Sequence, residues 1–557
     1  MSLLDLASLV LAPTATKEGK VYSAIPDTGD GDMTFTRGSA ATRVNSAGLI
    51  EKERANLLVQ SNTFDTTWSS VLTANVVGGQ SGYDGSSDAW TLETQSGQAS
   101  RRAQNLSGLE SVNSFSVYAK ANTLDWMRLQ ISTASGNYVG DFDLTNGVSG
   151  YNFGDPLPSI ESVGNGWYRV KISGFNVPTQ VRIYALSGNN DFSGAGTIFI
   201  QDAMLNQGLV AQSYIETTTT AVYEGITDDV PRVDYSGGGC PSLLLEPSRT
   251  NLIDDYSGYT WDEFNGASIA FNGNQQSPEG LDNAVTWTFS GTSGEVVQRS
   301  SITISNSTTY TISGYFKLTS GTLTSGSNQF KGLDGLAGAN VSLNTLTSEW
   351  QRLSFNVTSS STTGRVQFRC DDSATIQVYG LQLEAGSYST SLIPTYGTST
   401  TRAVDIVDGA VDASLFNDSE GVLFVEFAAL ADTRDNDFRF LICDGTNNER
   451  IQIFLPTSNI LNVDCIVSNS ATANLTYTLT NPSSSHKVAF KYKNNDFALW
   501  VDGVERGTDT SGGTPTGLDR LDFYRTPNNN NYVEANVKQA IYFGTALTDT
   551  QLQELTK

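Results

Sequence analysis

Histidine is almost absent from this chain: His486 is the one imidazole in 557 residues. That excludes zinc sites built on two or three histidines, and no His-Glu-x-x-His motif is present. A Ser-His-Asp or Cys-His relay would have to pass through His486, which opens an expected strand beside Lys487 with no nucleophile motif near it. Cysteine is scarce as well. Cys240, Cys370, Cys443 and Cys465 are widely spaced, without the pairing of a disulfide framework or a metal site. Whether Cys443 and Cys465 meet across neighbouring strands is open at this stage. Lysine and arginine number 33 against 58 aspartates and glutamates, a net charge of −25. Such a chain repels phosphate backbones and anionic lipid, which argues against nucleic-acid partners and membrane binding. No apolar run approaches the roughly 18 residues of a membrane span. No glycine-rich loop precedes a Lys-Ser/Thr pair, so a phosphate cradle is absent. The opening residues lack the basic flank of a signal peptide. The expectation is a protein made in the cytoplasm and released by lysis.

Charged residues make up only 16% of the chain, so the polar surface comes from Ser, Thr, Asn and 52 glycines. Frequent punctuation of this kind suits short strands and turns better than long helices. Phe115, Val117 and Ala119 alternate with Ser114, Ser116 and Tyr118, and Tyr168, Val170 and Ile172 alternate with Arg169, Lys171 and Ser173. Period-two patterning over short runs means strands with one buried face. The fold class is therefore all-β: tandem antiparallel sandwiches with little helix.

Two regions repeat one another. Asn56-Leu57-Leu58, Trp68, Trp90, Ser116–Lys120, Trp167-Tyr168-Arg169 and Tyr214–Thr217 are followed in the same order by Asn251-Leu252-Ile253, Trp261, Trp287, Ser313–Lys317, Trp350-Gln351-Arg352 and Leu392–Thr395. A repeat of about 150–170 residues is a duplicated domain rather than a solenoid unit. Arg43-Val44, Arg232-Val233-Asp234 and Arg402-Ala403-Val404-Asp405 echo one another at the joints. The expected organisation is an opening docking or oligomerisation segment (1–50), a first sandwich (51–222), a linker (223–250), a second sandwich (251–400) and a third (401–557). The segment 1–50 is too small to bury a core alone, so it packs on another domain, another copy or a docking partner. Within the linker, Leu243-Leu244-Leu245 reads as a strand shared between domains. In the third unit, Val488–Tyr492, the turn Asn494-Asn495-Asp496 and Phe497–Val501 form a hairpin. Thr548-Asp549-Thr550-Gln551 is a capping box opening a short C-terminal helix.

The strings Phe35–Asn45, Phe115–Ala121, Val163–Arg169 and Ser213–Thr217 resemble segments of bacteriophage fibre and spike proteins with the phage head-spike-fibre domain. That family in turn resembles jelly-roll carbohydrate-binding modules. The second copy matches through Tyr379–Gly386 but lacks the Gly-Asn-Gly before its tryptophan. The third unit, through its hairpin, Asp502-Gly503 and Tyr542-Phe543-Gly544, is similar to concanavalin-A-like, laminin-G-type sandwiches. The resemblance implies two jelly rolls and a laminin-G-like sandwich in a virion structural protein, a tail-fibre, head-fibre or spike subunit on the particle surface. It also implies a homotrimer, contacts with other virion proteins and adhesion to host-surface glycans, without enzymatic activity. A purely structural decoration or connector without ligand, and a glycan-cleaving depolymerase, are the alternatives.

Sugar faces stack on aromatic rings while amides and acids take the hydroxyls. The tryptophans that recur in both copies belong in cores. Trp126 has no counterpart in the second copy and follows the loop-like Asn122-Thr123-Leu124-Asp125, so Trp126, Asp125 and Asn122 are the glycan-binding candidates. No cofactor is required by any motif. Calcium is the one metal the sequence invites: Asp141 and Asp143 lie two apart on one face, and hard oxygen ligands suit that ion. Asp228-Asp229, Asp254-Asp255 and Asp371-Asp372 are further acidic pairs, none with EF-hand spacing.

Overall fold

The computed structural model describes residues 3–72, 74–154, 158–526 and 529–557, so Met1 and Ser2 of the opening segment lie outside it. The chain is nearly all antiparallel strand, as its patterning predicts. The one α-helix among the described residues is Asp549–Thr556, whose capping box at Thr548 and Gln551 is formed. No helix of the described residues is long and apolar enough to cross a membrane.

The first sandwich faces two six-stranded sheets against each other. One contains Asn113–Ala121, Trp167–Gly174 and Gly196–Gln207 at its centre; the other contains Trp126–Thr133, Gly136–Asp143 and Pro178–Leu186. Phe115, Val117, Met127, Leu129, Ile131 and Ile183 meet between them, all fully buried. The second sandwich repeats the arrangement with five strands per sheet.

The duplication holds at the level of single hydrogen bonds. Asn56 Nδ2 donates to Ala203 O and Ile215 O, while its Oδ1 accepts from Leu58 N and Leu205 N. Asn251 makes the same four bonds, to Leu381 O, Ile393 O, Ile253 N and Leu383 N. Each asparagine thus replaces a missing ladder partner between the entry strand and the closing segment. Arg169 stacks on Tyr118 and bonds Gln212 O, and Arg352 stacks on Tyr315 and bonds Thr390 O. Of the recurring tryptophans, Trp68, Trp167, Trp261 and Trp287 are core residues, while Trp90 and Trp350 are half-buried.

The third sandwich is assembled from distant parts of the chain. Its larger sheet contains Glu420–Ala429, His486–Lys493, Phe497–Val501 and Ala535–Phe543. The free side of Ala535–Phe543 is shared by two visitors. Leu9–Leu11 pair with Ala540–Tyr542, and Leu243–Leu245 pair with Ala535–Val537. The opening segment therefore packs on another domain of its own chain, and the leucine run of the linker is the shared strand its composition implies. The run Val422–Val425 is apolar at every position because this sheet is covered on both faces. Leu423 and Val425 face the sandwich core; Val422 and Phe424 face Leu552 of the C-terminal helix.

These visitors converge on a buried ionic cluster. Arg232 bridges Glu246 and Asp405, Arg37 reaches Asp405 at 3.2 Å, and Arg402 reaches Glu246 at 2.9 Å. The three guanidiniums and the two acids are all essentially excluded from solvent. Backbone carbonyls of Thr227, Val230 and Pro247 take further N–H groups. The joint echo is met at Arg232 and Arg402. The third arginine, however, is Arg37; Arg43 pairs with Glu51 nearer the surface, and the Asp234 carboxylate receives Val44 N.

Cys443 and Cys465 do not pair. Their strands are separated by Arg450–Leu455, and the register puts the two thiols on opposite faces of the sheet. All four cysteines are free, three of them buried. Burial pushes the thiols of Cys370 and Cys465 up to about 11 and that of Cys443 up to about 12. Folded protein treated with a thiol reagent at neutral pH should release one rapid equivalent, from exposed Cys240, and four after denaturation; a native count of two or more would contradict this packing.

Burial alone would raise the Glu246 carboxyl, yet Arg402 and Arg232 hold it down at about 2, against an ordinary value of 4.5. A depressed folded-state pKa means the stabilisation is present above about pH 4.5 and lost as pH falls toward 2. Denaturant titrations should show Glu246→Gln less stable than wild type by about 3–5 kcal/mol at pH 7, with the gap closing between pH 4.5 and 2.

Candidate functional site

The outward face of the sheet containing Trp126–Thr133 has a composition unusual for a solvent-facing surface. Its rungs follow from strand register. Arg101, Tyr184, Arg128 and Asp141 lie side by side on four neighbouring strands. One rung away, Leu186, Trp126 and Asp143 are aligned, and one rung the other way lie Arg182, Gln130 and Val139.

Arg128 is the centre of this face. Its Nε and Nη2 grip Asp141 at 2.6 and 2.9 Å, and Nη2 also donates to Asn190 Oδ1 at 2.7 Å. Phe192 and Tyr151 sandwich the guanidinium, with ring centroids 4.9 and 5.2 Å from its carbon. The loop after Leu186 folds back over the sheet to do this. Asn190, at φ 53°, turns its N–H onto Asp141 Oδ2, and Asn189 Oδ1 accepts from Tyr151 N.

The aromatic content runs along the edge of this face. Trp126 is half-buried rather than fully exposed, because it lies against Gly150; a Cβ there would come within 2.5 Å of its ring. Tyr151 and Phe153, on the edge strand Val148–Phe153, are 38% and 58% exposed. Two exposed rings and a third half-buried one thus border the exposed Asn189 amide, above the buried Arg128 guanidinium and a Gln130 amide already bonded to Ser132, Asn137 and Tyr184. Tyr151, Phe153 and the 187–192 loop were not among the sequence candidates. The signal that could have found them is the Tyr151-Asn152-Phe153 alternation after a glycine.

Of the three glycan-binding candidates, only Trp126 reaches this face. Asp125 braces a turn by accepting from Thr145 Oγ1, and Asn122 donates to Thr197 Oγ1 at the edge of the opposing sheet. Asp141 and Asp143 do share one face, as their spacing predicts, but both are committed elsewhere. Asp141 is taken by Arg128 and Asn190. Asp143 accepts from Thr145 N, Asn146 N and Asn146 Nδ2, and these bonds hold its carboxyl low despite burial. A calcium ion between the two would have to displace Arg128. Among the described residues, no group of three or more His, Cys, Asp or Glu could hold a metal. The other acidic pairs are likewise engaged: Asp229 with Arg37 N, Asp254 with Arg299, and Asp371 with Arg369. His486, the one histidine, lies between Asp502 and the carbonyl of Asn481. The hollow at the domain junction, of about 160 Å³, is lined in part by Lys52, which Glu279 already holds at 3.0 Å.

No family model and no curated protein matches the chain. Solved structures with local likeness include the carbohydrate-binding module CBM40 of the Ruminococcus gnavus IT-sialidase bound to alpha2,3 sialyllactose. It has 14% identity and a TM-score of 0.22, covering 26% of this chain and 86% of that one. Domain 4 of AbnA, a GH43 extracellular arabinanase from Geobacillus stearothermophilus, in complex with arabinotriose, has 13% identity and a TM-score of 0.23, covering 31% and 81%. The CBM22-1–CBM22-2 tandem of Paenibacillus barcinonensis Xyn10C has 9% identity and a TM-score of 0.19, covering 59% and 97%. At these scores the likeness does not bear on function.

Asp141→Ala strands Arg128 beneath its aromatic roof and should cost about 3–5 kcal/mol in denaturant unfolding. Pairing it with Arg128→Met should recover most of that loss; if the double variant is as unstable as the single one, the pair is not what organises this face.

Proposed function

We propose that the chain is a non-catalytic saccharide-binding protein, and that its setting is a bacteriophage particle, as a tail-fibre, head-fibre or spike subunit. The observation that carries the first part is the outward face of the first sandwich. Trp126, Tyr151 and Phe153 offer ring surface for sugar C–H groups, and the exposed Asn189 amide stands beside them for hydroxyls, while buried Arg128 braces the roof from beneath. Most of these groups are held in place by the sheet or by the 187–192 loop, so little ordering is needed on binding. The second part rests on the fibre-like strings of the sequence, as do homotrimer formation, contact with other virion proteins and exposure on the particle surface. Weak single contacts suffice in that setting, because several copies on one particle multiply avidity.

The purely structural connector is the reading favoured by the buried cluster, which ties three parts of the chain into one arrangement. The two readings separate on a glycan array probed with the whole chain. Host-surface oligosaccharides should be retained intact, without new reducing ends. Trp126→Ala and Tyr151→Ala should each weaken retention roughly tenfold, the scale of one lost stacking contact. Absence of retention by any glycan would leave the connector; release of shorter products would support the depolymerase. Gold-labelled antibody against residues 401–557 should decorate purified virions; unlabelled particles would overturn the virion setting.

A further inference from the structure

The second sandwich repeats the scaffold of the first but carries a different outward face. The equivalent sheet contains Asp262–Phe264, Glu295–Thr303, Thr363–Cys370, Gln329–Asp334 and Asn340–Ser342. Its register aligns Asp262, Gln298, Gln367, Lys331 and Asn340 across five strands. The neighbouring rung aligns Phe264, Val296, Arg369, Gln329 and Ser342. Lys331 flanks Phe330, which is fully buried in the core, so its own side chain is directed outward.

Three cations meet here in a chain of net charge −25. Two are neutralised: Arg369 grips Asp371 with both ends of its fork, and Arg365 reaches Asp334 at 3.1 Å. Lys331 is not. It is half-buried, and its ammonium has no hydrogen bond and no ion pair among the described residues. Its environment disfavours the charge, first through burial and then through Arg369; Asp371 partly offsets this, and Arg365 adds a smaller push in the same direction as Arg369. A half-buried ammonium flanked by two guanidiniums is a group arranged to receive an anion. Beside it, Gln367 and Gln298 bond to each other at 2.8 Å in a fixed polar row. Phe264 is 45% exposed on the same face, two strands from Arg369, roughly 10 Å at ordinary strand spacing. Lys331 lies one strand further, roughly 15 Å from Phe264, a span that suits an oligosaccharide with one ring on the phenyl and a charged unit a few rings along among the cations.

We infer that this face binds a carboxylated oligosaccharide, with the carboxylate on Lys331 between Arg365 and Arg369 and a more distant ring of the same oligosaccharide on Phe264. The inference rests on the reading that these sandwiches bind saccharides, and it assigns the second copy an acidic ligand class of its own. The copies then divide the work, a stacking face in the first and a charged face in the second.

The experiment uses the whole chain on an array of uronate- and sialate-terminated oligosaccharides, each beside its carboxyl-reduced twin, with neutral oligosaccharides alongside. Wild type should retain at least one acidic member about tenfold better than its reduced twin, with the preference shrinking as salt rises. Lys331→Met should abolish the preference, Lys331→Arg should restore part of it, and neither should change retention of neutral glycans. Phe264→Ala should weaken the acidic oligosaccharide while leaving displacement by inorganic sulfate unchanged. Trp126→Ala should do the reverse of Lys331→Met, lowering neutral retention alone. Equal retention of every acidic member and its twin, or a preference that survives Lys331→Met, would overturn the inference while leaving the first face standing. Sulfate that binds at Lys331 while no saccharide does would show an anion site without a sugar site and overturn it too. Loss of neutral retention in wild type would instead sink the broader reading.

Discussion

Three guanidiniums buried around two carboxylates set the relative placement of everything else in this chain. Arg37 comes from the opening segment, Arg232 and Glu246 from the stretch between the first two sandwiches, and Arg402 and Asp405 from the stretch before the third. Removing several charges from water costs several kcal/mol each, and only complete pairing and hydrogen bonding offset it. An arrangement that misplaces one segment leaves a charge buried and unpaired. On that balance the cluster discriminates between arrangements more than it adds net stability, and two of its contributors, the opening segment and the linker, are the ones that pair with Ala535–Phe543.

The consequence for function is orientation. Because the opening segment and the linker are both built into the last sandwich, the three sandwiches are joined by ordered structure rather than by flexible tethers. Phe175 of the first sandwich packs on Tyr259 of the second, and Ser111 bonds the carbonyl of Tyr396. Faces on the first and second sandwiches are thereby presented in a set geometry. For a surface protein working through many weak contacts, a fixed geometry raises the effective concentration of the second contact once the first is made.

Duplication preserved the inward packing and let the outward faces diverge. The two asparagine clamps and the arginines stacked on tyrosines recur bond for bond, and most recurring tryptophans are inward in both copies. The outward rungs of the corresponding sheets share almost nothing: Arg128–Asp141 under an aromatic roof in one, Lys331 between two paired arginines in the other. Side chains alternate across a strand, so one face can diverge while the other keeps its packing.

The all-β class, the duplication, the terminal hairpin and the C-terminal helix could be read from the sequence because each is written locally. Period-two alternation, a turn of asparagines and a capping box report on neighbours a few residues apart. Trp126 was identifiable as an aromatic without a counterpart in the second copy, and Leu243–Leu245 as a strand in search of a sheet. What lay beyond the sequence was decided over long distances. Asp141 looked like a metal ligand until the fold placed Arg128 opposite it, and Arg43 looked like the third joint arginine until the fold buried Arg37 instead. Cys443 and Cys465 looked able to pair until register put them on opposite faces. Local pattern fixes which side of a strand is buried; only tertiary register fixes which charge meets which, since partners hundreds of residues apart leave no periodic trace of each other.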